Sequence, residues 1–101
     1  MKTSRLLFAL LVLGLGSSAY AAGDAEAGKT KSAMCAACHG ANGVSPTDFW
    51  PNLAGQKAGY LAKQLKDFKA GNRADPSMAP MAANLTDQDI EDLAAYYAGL
   101  E

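Results

Sequence analysis

Cys35-Ala36-Ala37-Cys38-His39 is the stretch on which the fold of this 101-residue chain turns. A C-x-x-C-H run is the attachment site of a c-type haem. Two thiols three positions apart on one helical turn reach the two vinyl groups of a porphyrin and add to them as thioethers. The histidine that follows aims an imidazole nitrogen at the iron. Three other readings of the same run are weaker. A thioredoxin-like dithiol belongs in a larger βαβ fold, and the sequence has no strand pattern. A disulfide between Cys35 and Cys38 would close a very small loop. A structural zinc site takes four ligands, and the chain holds two cysteines and a single histidine, His39.

Upstream of this run, Lys2 and Arg5 precede an apolar segment of 11 residues, Leu6 to Gly16. Ser17, Ser18 and the small-x-small triplet Ala19-Tyr20-Ala21 follow. This is the pattern of a secretory signal peptide, with cleavage after Ala21 or Ala22. The apolar run is short for a membrane anchor, which needs about 20 residues. Residues 1–21 are therefore expected to be the signal peptide and 22–101 a single small domain. That domain is expected in the periplasm, with no stable membrane insertion after cleavage.

Composition narrows the function further. Half of the chain is hydrophobic and 19% is charged, which argues against a disordered chain. Loss of Lys2 and Arg5 leaves seven basic residues against ten acidic ones, a net charge of −3. No basic footprint remains, so nucleic acid is not an expected partner. Two cysteines rule out a multi-disulfide scaffold. The 80 residues left after cleavage are close to the size at which a core alone becomes marginal. A covalently held haem supplies the missing apolar body and cannot be lost by dissociation.

The rest of the chain reads as helices and loops. Asp24 to Cys38 is expected to be one helix, capped by Asp24 and uninterrupted by proline. Lys57 to Ala70 is a second, with Leu61, Leu65 and Phe68 on one face. A third begins at Thr86, where Asp87 and Asp89 suit the helix dipole, and Ile90, Leu93, Ala94 and Tyr97 share a face. Gly40 to Gly55 and Gly71 to Leu85 are expected to be loops. Loops of about fifteen residues are long for a compact domain unless something orders them. The expected fold class is all-α, with three main helices wrapped around one covalently attached haem.

Iron that shuttles electrons without binding substrates needs a second axial ligand. A methionine sulfur raises the reduction potential. Met34 lies beside Cys35 on the same helix and cannot cross to the other haem face. Met78 and Met81 lie in the second loop, and spacing alone does not choose between them.

The chain resembles the class I cytochromes c, in particular cytochrome c-553-type proteins and the single domains of cytochrome c4. The likeness covers nearly all of the domain. It is carried by Gly23-Asp24-Ala25, Cys35-Ala36-Ala37-Cys38-His39-Gly40 and Pro51-Asn52-Leu53-Ala54-Gly55-Gln56. It continues through Tyr60-Leu61, Gln64-Leu65, Met78-Ala79-Pro80-Met81 and Leu85-Thr86-Asp87-Gln88-Asp89. The resemblance implies thioethers at Cys35 and Cys38, iron ligands at His39 and Met78, and a packing role for Met81. It implies that the Pro51 carbonyl accepts the free ring N–H of His39 and that Leu53 presses on the haem face. It also implies a close crossing of the first and last helices at Gly28 and Tyr96 or Tyr97. Lys31 departs from the larger cytochromes, standing where an aromatic residue often packs in that crossing. Trp50, Tyr60, Gln56 and Arg73 are candidates for the haem propionates or pocket edge, against the simpler reading of aromatic core and solvated arginine. Lys57, Lys63, Lys66 and Lys69 are expected to form the wet face of a helix.

These readings lead to a soluble periplasmic electron carrier with haem c, iron and His/Met ligation, and not to an enzyme. Its expected partners are redox proteins such as a membrane cytochrome complex, a terminal oxidase or a reductase. Electrons are expected to cross an exposed haem edge beside Ala36, Ala37, Ala79, Pro80 and Ala82. The competing classes are an enzyme or gas sensor whose methionine dissociates, and a module serving a fixed oxidase complex.

Overall fold

The computed structural model describes residues 23–101. The expected signal peptide and its cleavage point lie outside the described residues. Every regular element among those described is a helix. None of these helices is long and apolar enough to cross a membrane.

Asp24 opens the first helix, its carboxylate accepting the N–H groups of Glu26 at 2.9 Å and Ala27 at 3.4 Å. The helix expected from Asp24 to Cys38 is in fact two, α1 (Ala25–Lys31) and α2 (Ala33–His39). The break falls at Ser32, whose hydroxyl donates to the Lys29 carbonyl at 2.7 Å. A serine bonding back onto its own helix competes with the backbone ladder and bends it. Helix α3 (Ala58–Ala70) matches the second expected helix to within one residue. It ends at Gly71 in the left-handed conformation, φ +81°.

The segment 71–85, expected to be a loop, contains a short helix, α4 (Met78–Ala83). Ser77 gives it no side-chain cap. The Asp75 carboxylate does so instead, accepting the N–H groups of Ser77 at 2.8 Å and Met78 at 2.9 Å. Pro80 fits because the first turn of a helix has no partner for its N–H groups. The last helix, α5 (Asp87–Ala98), starts with a reciprocal cap. Asp89 N–H donates to Thr86 Oγ1 at 3.0 Å and Thr86 N–H to Asp89 Oδ2 at 2.9 Å.

The core joins Leu61 and Ala62 of α3 to Ile90, Leu93, Ala94 and Tyr97 of α5. Cys35, Leu53, Leu65 and Leu85 pack against it. Ile90 and Leu93 are sealed from solvent, and side chains of that size contribute about 1.5–3 kcal/mol each on burial.

Helices α1 and α5 cross where Gly28 meets Asp92 and Tyr96. A methyl group at Gly28 would lie 2.0 Å from the Asp92 carbonyl oxygen and 2.8 Å from Tyr96 Cβ. Of the two tyrosines expected at this crossing, Tyr96 is the one that meets Gly28. Lys31 holds the crossing by charge, with Nζ 2.8 Å from Asp89 Oδ1 and 2.6 Å from Asp92 Oδ2. Asp92 also accepts the N–H of Asp24 and the amide of Gln88, each at 2.8 Å. Led by the Asp24 N–H, these donors hold the Asp92 carboxyl down at about 2.

Candidate functional site

One turn of α2 presents Cys35, Cys38 and His39. Both cysteines are free thiols and half-buried. Burial pushes the Cys35 thiol up from its ordinary value, and the nearby Tyr97 hydroxyl draws it partly back. Burial is also the main cause that raises the Tyr97 hydroxyl.

Beyond His39 the chain must reverse sharply. Gly40 makes the first turn at φ +87°, and a methyl group there would lie 1.9 Å from the Val44 carbonyl oxygen. Gly43 makes the second at φ +74°. Its carbonyl accepts the N–H groups of Leu53 at 2.7 Å and Ala54 at 3.0 Å. The reversal carries Pro51 back over α2, where its carbonyl oxygen lies 2.8 Å from His39 Nδ1. A carbonyl only accepts, so Nδ1 carries the hydrogen and Nε2 keeps a lone pair. The His39 ring is buried, at 6% exposure. Among the described residues Nε2 has no hydrogen-bond partner, yet none of their sealed side-chain nitrogens or oxygens lacks one. Nε2 is thus an open electron-pair donor at the surface of an otherwise enclosed ring.

Met78 and Met81 both lie on α4, one turn apart and half-buried. Met81 lines a cavity of about 440 Å³ with Lys31, Met34, Leu85 and Asp89, a lining that does not include Met78. The N–H groups of Met78 and Ser77 hold the Asp75 carboxyl below its ordinary range. Leu53 is half-buried against the core.

Large apolar side chains stand exposed in the loop after His39 and at the start of α3. They include Val44 at 53%, Phe49 at 89%, Trp50 at 39% and Tyr60 at 51%. Arg73 stacks over the Phe68 ring at 4.5 Å and donates to Gln64 Oε1 at 2.7 Å. Gln56 donates to the Asn52 carbonyl. On α3, Lys63 pairs with Asp67 and Lys66 with Glu91 of α5. Ala82, expected beside an exposed haem edge, is completely buried. It anchors α4 to the core and cannot form part of a docking surface.

The residue set fits a haem c. Two free thiols and an imidazole nitrogen bearing a lone pair share one helical turn. Two thioether sulfurs lie on α4, and the aromatic side chains of Phe49 and Trp50 stand exposed in the loop after His39. No group of three His, Cys, Asp or Glu side chains suited to a metal ion gathers among the described residues. The sequence reading passed over Asn52 and Asp75, which shape the loops on either side. Their signal was local: an Asx residue just after or just before a proline favours turns.

The cytochrome c family profile matches residues 25–101. Cytochrome c4 of Pseudomonas aeruginosa is 53% identical over 93 residues, covering 92% of this chain and 46% of that protein. Cytochrome c-554(548) of Halomonas halodenitrificans is 46% identical over 83 residues, covering 79% of this chain and the whole of that protein. The crystal structure of reduced recombinant cytochrome c4 from Pseudomonas stutzeri superposes with a TM-score of 0.77 at 48% identity. That match covers 79% of this chain and 47% of the other. The chain thus spans about half the length of the cytochromes c4 it matches. It belongs to the cytochrome c family and has the class I fold.

Proposed function

We propose that this member of the cytochrome c family is a soluble periplasmic electron carrier, with one haem c sewn to Cys35 and Cys38 and iron held by His39 and Met78. The observation that carries the reading is the His39–Pro51 bond. It fixes the ring tautomer and leaves Nε2 open beside two free thiols. Bound haem c supplies a one-electron ferric–ferrous couple. His39 offers Nε2 to the iron, and the Pro51 carbonyl raises the basicity of that nitrogen. Met78 is favoured over Met81 because the Asp75 carboxylate fixes the Met78 backbone, while Met81 turns toward the cavity beside Met34. With His39 and Met78 both bound to it, the iron would keep no open position for a substrate, which favours a carrier over an enzyme.

The exposed small residues Ala37 and Pro80 suit brief contacts with redox partners, such as a membrane cytochrome complex, a terminal oxidase or a reductase. The export pattern of residues 1–21 supports a periplasmic location. Replacing each methionine and recording spectra of the holoprotein tests the ligand set. Met78→Ala is expected to lose the methionine-to-iron charge-transfer band. Its reduction potential should fall by on the order of 0.1–0.2 V, within the ~0.8 V span that axial ligands cover. Met81→Ala is expected to keep the band. Loss in Met81→Ala alone transfers the role to Met81, and a high-spin wild-type spectrum favours the enzyme or gas-sensor class.

A further inference from the structure

Pro51 has no N–H, so its hold on His39 depends on how its neighbours are fixed. Leu53 and Ala54 are tied to Gly43 through their N–H groups. Asn52 is tied twice. Its side-chain Oδ1 accepts the Ser45 N–H at 2.6 Å, and its main-chain carbonyl accepts from Gln56 Nε2. Ser45 is itself placed, because its hydroxyl donates to the Thr47 carbonyl at 2.8 Å, with the Cys38 carbonyl 3.5 Å away as the longer alternative. The Asn52 side chain therefore spans seven residues of loop and fastens the chain just after Pro51 to the chain just beyond α2. By exposure alone Asn52 reads as an ordinary solvated residue.

Resting on the proposed role of His39, we infer that Asn52 is a positioning residue. By bonding Ser45 it fixes the Pro51 carbonyl against the His39 ring, and so sets the basicity of Nε2 and the reduction potential of the iron. A firmly held acceptor at Nδ1–H strengthens Nε2 as a donor and favours ferric iron. Loosening it favours ferrous iron and raises the potential.

The test uses the holoprotein. Asn52→Leu keeps the side-chain size and removes the acceptor, whereas Asn52→Asp keeps an acceptor for Ser45 N–H. Asn52→Leu is expected to shift the ferric–ferrous equilibrium about threefold toward ferrous, since a partner one bond removed acts more weakly than the ligand contact itself. That equals a rise of roughly 30 mV at ~59 mV per tenfold for one electron. Asn52→Asp is expected at or below the wild-type potential, because its added negative charge also favours ferric iron. In the wild type the Ser45 amide proton should exchange slowly with solvent, and in Asn52→Leu quickly. If Asn52→Leu does not accumulate as holoprotein, Gln56→Leu cuts the second tie and should give a smaller rise in the same direction. An unmoved potential in Asn52→Leu, a rise in Asn52→Asp, no rise in Gln56→Leu, or a freely exchanging Ser45 amide in the wild type overturns the inference. A wild type without low-spin haem overturns the proposed function instead.

Discussion

The two proposed iron ligands rise from supports of different kinds. His39 closes a helix and is held by a loop that folds back on it through Gly40, Gly43, Ser45 and Asn52. Apart from the His39 ring itself, every group in that network is a main-chain amide, a hydroxyl or a side-chain amide. Met78 stands at the start of a helix of six residues that packs on α3 and is capped from outside by the Asp75 carboxylate. The histidine side spreads its hold over many bonds in a crowded turn. The methionine side depends on one ionised group in an open one. Backbone crowding should therefore damage the first, and acid the second.

The sharpest way to break this contrast is to add one methyl group to each side. Gly40 and Gly71 have similar positive φ values, +87° and +81°. At Gly40 the new carbon would lie 1.9 Å from the Val44 carbonyl oxygen, while at Gly71 it would meet nothing within 4 Å. Gly71→Ala bears only the left-handed conformation, about 1–2 kcal/mol. Gly40→Ala bears the clash and a backbone region essentially reserved for glycine, φ +87° with ψ 150°, together about 3 kcal/mol or more. Thermal melts should show Gly40→Ala losing more than ~10 °C and Gly71→Ala about half as much. Equal losses would mean that the His39 turn has room to relax, and the two supports would no longer differ in crowding.

The next largest effect is expected at Asp75. Removing a helix-capping side chain costs enough to lower a small domain's melting point by about 5 °C, so Asp75→Ala should melt earlier by that amount. The pH dependence is more telling. The folded carboxyl lies below its ordinary value because Met78 N–H and Ser77 N–H bond its ionised form. Its contribution is complete above the unfolded value of about 3.9 and is lost as pH falls through the folded one. The methionine band should therefore weaken on acidification below about pH 4. Asparagine caps nearly as well and does not titrate. In Asp75→Asn the band should persist until Asp89 and Asp92 give way, the latter at about 2. An acid profile identical to wild type would show that the methionine side does not depend on Asp75.

The same contrast explains what the sequence could disclose. That Cys35, Cys38 and His39 share one helical turn was legible because their spacing is helical. The buried faces of α3 and α5 were legible because Leu61, Phe68, Ile90, Leu93 and Tyr97 recur at helical spacing. The break at Ser32 was not, since a serine's bond back to Lys29 leaves no mark in a helical pattern. Nor was α4, because its cap is a carboxylate three residues before Met78 rather than the adjoining Ser77. Lys31 read as a lost aromatic, since its ion pair with Asp92 spans 61 residues. Asn52 lay in plain view inside Pro51-Asn52-Leu53, but its bond to Ser45 needs the loop closed.

The smallest effect is expected from Lys66 and Glu91, which join α3 to α5 at 3.1 Å across a partly exposed surface. Such a pair contributes about 0.5 kcal/mol, so Lys66→Ala should lower the melting point by about 2–4 °C. Both helices belong to the frame shared by the two ligand supports, yet neither residue touches the His39 loop or the Asp75 turn through a hydrogen bond or ion pair. If the supports act separately, the methionine band, its acid profile and the reduction potential should all stay at wild-type values. A shift in potential without loss of the band would mean that the α3–α5 frame transmits strain to the iron. The two sides would then be parts of one spring, and their different bonding would say little about which ligand yields first.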